Sequence, residues 1–161
     1  MTDALRLDHF AFRVLDRDAA VRFLTMLGYK PVETFEITLG DGSKASCYAM
    51  RHELNPDVFV SSGPEDSLIR NWVNDRGGVG AVHHLAYAVD DVAATMKTWT
   101  GLGIKFQSNE PLVCSCEDPI VQVFTEPDPT TGIIYELITR NGHPGFCAEN
   151  VRRLMDSSKD D

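Results

Sequence analysis

Basic residues are scarce in this chain. Fifteen Lys and Arg stand against 24 Asp and Glu over 161 residues, a formal net charge of -9. Polyanions would meet repulsion instead of the counterion release that drives their binding, so no nucleic acid and no anionic membrane is expected as a partner. Long apolar runs are missing as well, and none approaches the roughly 18 residues of a membrane span. The first residues, MTDALRLDHF, contain neither a basic leader nor an apolar signal core, which makes the cytoplasm the expected compartment. Cysteine is sparse. Cys47, Cys114, Cys116 and Cys147 include a C-x-C pair but no C-x-x-C, and in that compartment all four are expected as reduced thiols. No Pro/Gly/Ser-rich linker or low-complexity tract divides the chain, so its 43% apolar residues suit one domain or two half-size modules sharing a core.

What the chain does contain is an internal repeat. Residues 7–30 lie over 82–105 with a constant shift of 75 and no gap, and nine of the 24 positions are identical, where chance gives roughly one or two. The pairs are His9 with His84, Ala11 with Ala86, Val14 with Val89, Asp16 with Asp91, Ala19 with Ala94, Thr25 with Thr100, Leu27 with Leu102, Gly28 with Gly103 and Lys30 with Lys105. Each copy opens on a strand-like run, LDHFAFRV or VHHLAYAV. Asp16 and Asp91 are N-cap candidates for the helix that follows, and Gly28 and Gly103 are C-cap candidates. SKASCYAM and DVFVSS continue the first copy, IVQVFTE and GIIYELIT the second, with turns at Asn55-Pro56 and at DPTTG. Each copy therefore reads as βαβββ. SLIRNWVNDRGG between them and CAENVRRLMDSSKDD after them have helical spacing.

The repeat sets His9 and His84 at equivalent points on equivalent first strands, facing the same side of their sheets. The same shift matches Glu136 with Ser61, so the second copy offers a carboxylate where the first offers a hydroxyl. Two imidazoles and one carboxylate form a set that leaves coordination positions open and is diagnostic of non-heme Fe(II) oxygen chemistry; a structural site would want four ligands. An isolated strand histidine is usually a core residue, but two at repeat-equivalent positions beside an acid are not isolated. His83 is expected on the opposite strand face from His84. His52 and His143 are expected to be solvated.

On these residues the chain resembles the vicinal oxygen chelate superfamily of glyoxalases, epimerases and extradiol dioxygenases. It is most similar to the C-terminal, iron-binding half of the 4-hydroxyphenylpyruvate dioxygenase family. GGVGAVHHLAYAVDD, VQVFTEP and YELITRNGHPGFCAENVRRLM resemble that family's second-His strand, its Q-x-F-T strand, and its Glu strand with the G-F-x-x-x-N helix. The resemblance implies an α+β fold of two tandem βαβββ modules in one half-open barrel-like domain spanning 1–161. Module one would cover about 5–63, a connecting helix about 65–77, module two about 80–140, and a C-terminal helix about 145–157. It implies iron ligation by His9, His84 and Glu136, with Mn, Co, Ni or Zn as alternative metals. Substrate contacts fall on Gln122, Phe124, Phe146, Ser62 and His83. Phe146 could act as a gate, with the terminal helix packing Val151 and Leu154 over the second sheet. The implied activity is an Fe(II)-dependent dioxygenase using O₂ and a small 2-oxo acid or aromatic substrate, in a homodimer. A metal-dependent epimerase, isomerase or lyase is the second reading, and a non-catalytic small-molecule binder the third. Ser62, His83 and Ala45 replace the Asn, Gln and Ser that help that family hold its hydroxyphenyl substrate, so the substrate does not carry over. The chain corresponds to about half that family's usual length.

Overall fold

The computed structural model describes residues 5–117 and 119–158. The fold is α+β, in the order β1 (Arg6–Arg13), α1 (Arg17–Met26), β2 (Lys30–Thr38), β3 (Lys44–Arg51), β4 (Asp57–Ser62), α2 (Leu68–Asn74), β5 (Ala81–Ala88), α3 (Val92–Gly101), β6 (Leu112–Val113), β7 (Val121–Phe124), β8 (Ile134–Thr139) and α4 (Ala148–Ser157). The chain divides into two compact units. One comprises residues 9–83; the other comprises the described residues of 1–8 and 84–161. Among the described residues, no helix is long and apolar enough to cross a membrane.

In the 9–83 unit the strands run β2-β3-β4-β1, with β1 parallel to β4 and the remaining pairs antiparallel. Alternation divides the sheet into two faces. Phe10, Phe12, Tyr48, Met50, Val58 and Val60 pack with Leu24 and Val21 of α1. His9, Ala11, Arg13, Ala45, Cys47, Ala49, Phe59 and Ser61 take the other, inner face. β4 is buried from Val58 to Ser61, as a strand covered on both sides must be.

The 84–161 unit repeats the plan as β5-β8-β7-β6, again with its first strand parallel to its last. Here α3 covers one face, with Val92, Met96 and Trp99 against Val89, Val123 and Leu137. The opposite face carries His84, Ala86, Gln122, Phe124, Ile134, Glu136 and Ile138, and α4 packs on it through Leu154 against Phe124 and Ile134.

The repeated signals form repeated structure. The Asp16 carboxylate accepts from Ala19 N at 2.9 Å and the Asp91 carboxylate from Ala94 N at 3.0 Å, each capping the helix that follows. Gly28 and Gly103 close those helices at φ +97° and +92°, values that cost a residue with a Cβ and cost glycine nothing.

Four expectations need correction. The second module's second strand shrinks to the two residues of β6 plus a single bridge from Phe106 to Thr125, because bends through Ser108–Glu110 and Pro111 interrupt it. α2 is shorter than the span drawn for it: Ser67 caps its start, while Gly77 and Gly78, at φ +83° and +79°, lie beyond its end. The shift of 75 does not reach the last strand. His9 pairs with Asp57 but His84 with Ile134, so there the shift is 77, and the counterpart of Glu136 is Phe59 instead of Ser61. β3 and β7 keep the original shift, so the two added residues sit in the DPTTG turn, which Asp128 closes by accepting from Thr131 N and Thr131 Oγ1, each at 2.8 Å. Those bonds hold the Asp128 carboxyl below its ordinary pKa. Finally, Cys114 and Cys147 are joined in a disulfide that ties the end of β6 to the N-cap of α4, leaving Cys47 and Cys116 as free thiols.

Candidate metal centre

Glu136 lies mid-strand on β8 with 1% of its surface exposed. Isolating a carboxylate from water costs several kcal/mol unless it is paired, so its neighbours carry information. Its Oε1 accepts from Gln122 Nε2 at 2.6 Å, and its Oε2 lies 3.1 Å from His84 Nε2. The Phe124 ring covers His84 at a centroid distance of 4.7 Å. Behind this row stands Asn150 of α4, fully buried, whose Nδ2 donates to Gln122 Oε1 at 3.1 Å and to the Ile120 carbonyl at 3.0 Å. A chain of hydrogen bonds thus runs from helix to amide to carboxylate, fixing the face that Glu136 presents.

The His84–Glu136 geometry suits a shared cation. With metal bonds of roughly 2.1 Å, adjacent ligand atoms at right angles stand roughly 3 Å apart. A neutral imidazole nitrogen and a carboxylate oxygen are both lone-pair donors, and a divalent transition-metal ion of borderline softness is a partner that both can serve at that separation. The remaining expected ligand, His9, belongs to the 9–83 unit, where it is 2% exposed on the inner face of β1.

The other expected site residues fall in different places. Gln122 and Phe124 are in contact with Glu136 and His84 as described. Phe146 is buried beneath Arg140, whose guanidinium carbon stands 4.8 Å from its ring centre and whose nitrogens donate to Asp8 at 2.8 and 2.9 Å. His83, in the 9–83 unit, is buried with its ring edge-on to Trp72 at 5.3 Å. Ser62 shares its strand face with Ser46, which bonds Arg17 at the start of α1, so Ser61 is the serine on the inner face. His52 and His143 are half-buried turn organisers: their Nδ1 atoms accept from Leu54 N at 3.0 Å and Gly145 N at 3.1 Å. Cys47 is buried, and desolvation pushes its thiol to about 11, with Ser61 at 3.4 Å pulling the other way. Two buried residues were not singled out from sequence: Asn150, visible only as the last letter of a recognition motif, and Arg13, whose repeat counterpart is Ala88.

A family model described as the Glyoxalase/Bleomycin resistance protein/Dioxygenase superfamily matches residues 8–113. The chain belongs to that superfamily. The match spans both candidate histidines and ends before β7. No curated protein sequence matches the chain significantly. Among solved structures, a triple mutant of 4-hydroxymandelate synthase from Streptomyces coelicolor has a TM-score of 0.83 at 20% identity, covering 97% of this chain and 54% of that one. This superfamily member therefore spans about half the length of the synthase. A methylmalonyl-CoA epimerase has a TM-score of 0.68 at 23% identity, covering 86% of this chain and 98% of that one. The methylmalonyl-CoA epimerase from Mycobacterium tuberculosis scores 0.66 at 20% identity, with 83% and 86% covered. At such identities the likeness is one of fold.

Proposed function

We propose that this chain is a non-heme Fe(II)-dependent dioxygenase acting on a small oxygen-chelating substrate, with His9, His84 and Glu136 as the three protein ligands. The observation that carries the reading is the buried Glu136 carboxylate, turned toward His84 by Gln122 and backed by Asn150. His9, His84 and Glu136 are three buried side chains that can each offer one ligand atom. Iron held there would supply chelation of adjacent substrate oxygens and activation of O₂ at its open positions. The protein's own residues hold and enclose. Gln122 keeps one carboxylate oxygen engaged so that the other is aimed, an outer-shell role that fixes ligand geometry. Phe124 and Phe146 offer aromatic surface to a flat substrate, and α4 keeps water from the Glu136 face.

A redox-neutral epimerase or lyase draws support from the epimerase-like fold. It needs a proton-moving group beside the metal, and relatives of that kind place a carboxylate or carboxamide on the first module. On the inner rungs of β3 and β4 stand Ala45, Cys47, Ala49, Phe59 and Ser61, none of which is an acid or an amide; the acid on this face is the half-buried Glu33 of β2, opposite Ala49, one strand further from His9. The Cys47 thiol, pushed to about 11, stays protonated at neutral pH and is no base.

Anaerobic Fe(II) loading followed by oxygen-electrode screening of 2-oxo acids and catechols tests the choice. Substrate-dependent oxygen uptake, stoichiometric with product, is the expected result. Deuterium exchange next to a carbonyl with no oxygen uptake would establish the redox-neutral reading instead.

A further inference from the structure

We propose that the Cys114–Cys147 disulfide is a thiol-sensitive switch acting on Glu136: its reduction releases the first turn of α4 and with it the hydrogen bonds that hold the carboxylate. The output, a change in metal affinity, rests on the metal-site reading. All the moving parts belong to the one unit that contains β5 to β8 and α4. That helix starts unlike the three before it. Asp16, Ser67 and Asp91 each accept from the amide three residues on, at 2.9, 3.1 and 3.0 Å, whereas Cys147 at the N-cap of α4 makes no side-chain capping bond. Without a cap the first N–H groups of a helix are left to fray.

The cross-link stands in the cap's place. It ties the N-cap to Cys114 at the end of β6, and Cys114 N donates to the Ile120 carbonyl at 3.1 Å. The same segments are also joined by exposed hydrogen bonds, from Ser115 N and Oγ to the Glu149 carboxylate at 3.2 Å each and from Arg153 to the Val113 carbonyl at 3.1 Å. Water competes for such bonds, so they hold the turn weakly. Asn150 lies one turn into the helix, at its third residue, and donates to the Ile120 carbonyl and to Gln122 Oε1; Gln122 in turn donates to Glu136 Oε1 at 2.6 Å. Beyond Asn150, the buried Val151, Leu154 and Met155 keep the rest of α4 seated. Reduction therefore loosens one turn instead of the whole helix, and that turn is the one that reaches the carboxylate.

The step is thiol–disulfide exchange with a dithiol reductant. Cys147 is half-buried and Cys114 is 7% exposed, so the reductant thiolate attacks Cys147 Sγ. The S–S bond breaks, and Cys114 leaves as a thiolate that takes a proton from solvent. The reductant's second thiolate then attacks its own sulfur in the mixed disulfide and expels Cys147, which is protonated in the same way. The protein gains two electrons and two protons, and the dithiol becomes a disulfide.

The test compares the oxidised full chain with the same chain reduced by a phosphine, in anaerobic Co(II) titration and in amide hydrogen exchange read by mass spectrometry. Reduction should weaken Co(II) binding roughly tenfold or more, the scale of losing an outer-shell group, and speed exchange in the first turn of α4 and in β7; reoxidation should restore both. Cys114→Ala/Cys147→Ala, which cannot bind metal through sulfur, should match the reduced chain with or without the phosphine. Asn150→Ala should bind Co(II) with one weakened affinity in both redox states, because the route from disulfide to carboxylate is already cut, whereas a cross-link that only stabilises the fold would leave the redox ratio intact there. Unchanged Co(II) affinity in the reduced chain and the double variant overturns the proposal, and so does a redox ratio that survives in Asn150→Ala. If the double variant fails to fold, the reduced wild type with its thiols alkylated by iodoacetamide decides in its place. If the oxidised chain binds no Co(II), the metal-site reading fails by itself and hydrogen exchange judges the switch: faster exchange confined to the first turn of α4 and β7 keeps it, and any other pattern overturns it.

Discussion

At Glu136 the chain places an ionisable group where only its partners make it tolerable, and the residue scale offers the sharpest tests. Glu136→Gln keeps the side-chain size and the packing but removes the anionic ligand, so metal content should fall from about one per chain to below about 0.1, with the thermal midpoint within a few degrees of wild type. Metal analysis of the dialysed variant checks this, and wild-type stoichiometry would remove Glu136 from the ligand set. Asn150→Ala should loosen Gln122 and lower metal affinity roughly 10- to 100-fold without touching a ligand, the usual scale for outer-shell groups. Cys47 should resist alkylation at pH 8 while Cys116 reacts, because burial raises the Cys47 pKa to about 11 and Cys116 is exposed; peptide mapping after iodoacetamide reads both. The repeat drew attention to His84 and a strand motif to Glu136, and the structure sets the two side by side at 3.1 Å. Asn150 and Arg13 were not legible in sequence, since spacing says little about which polar residue a fold buries, and Arg and Asn are usually exposed.

The helices and strands show how far a repeat carries. Strand, helix and caps recur from Asp16 to Asp91 and from Gly28 to Gly103 because each signal is local: a carboxylate within reach of the N3 amide and a glycine at positive φ. Asp16→Ala and Asp91→Ala should therefore each cost about 1 kcal/mol, measurable by denaturant unfolding. The extended-strand reading of the second module broke down where bends and Pro111 interrupt pairing, and the constant shift failed across a turn whose length no periodicity constrains. The Cys114–Cys147 bond was missed for a related reason: compartment argued for thiols, whereas tertiary placement of α4 brings two cysteines 33 residues apart together. Loop closure on that scale is worth on the order of 3–4 kcal/mol in the chain-entropy model. Cys147→Ser should lower stability by an amount of that order and unpin the start of α4, and non-reducing peptide mapping of the wild type should recover the linked pair.

At the scale of the whole molecule, duplication supplies the residues of the proposed metal site. Each module has a histidine on its first strand, His9 or His84, and only the second has a carboxylate at the matching point of its last strand, where the first has Phe59. The βαβββ plan was readable from the repeat and superfamily membership from the resemblance of its motifs; the choice of chemistry was not, because dioxygenase-like and epimerase-like neighbours share the fold. Under the proposed function, that choice rests on which side chains would surround the ion. X-ray absorption on the anaerobic Fe(II)-loaded chain tests this most directly. The expected spectrum shows one iron with nitrogen and oxygen neighbours only, the scattering of two imidazoles, and a coordination number above four. A sulfur neighbour or a closed four-coordinate site would contradict it.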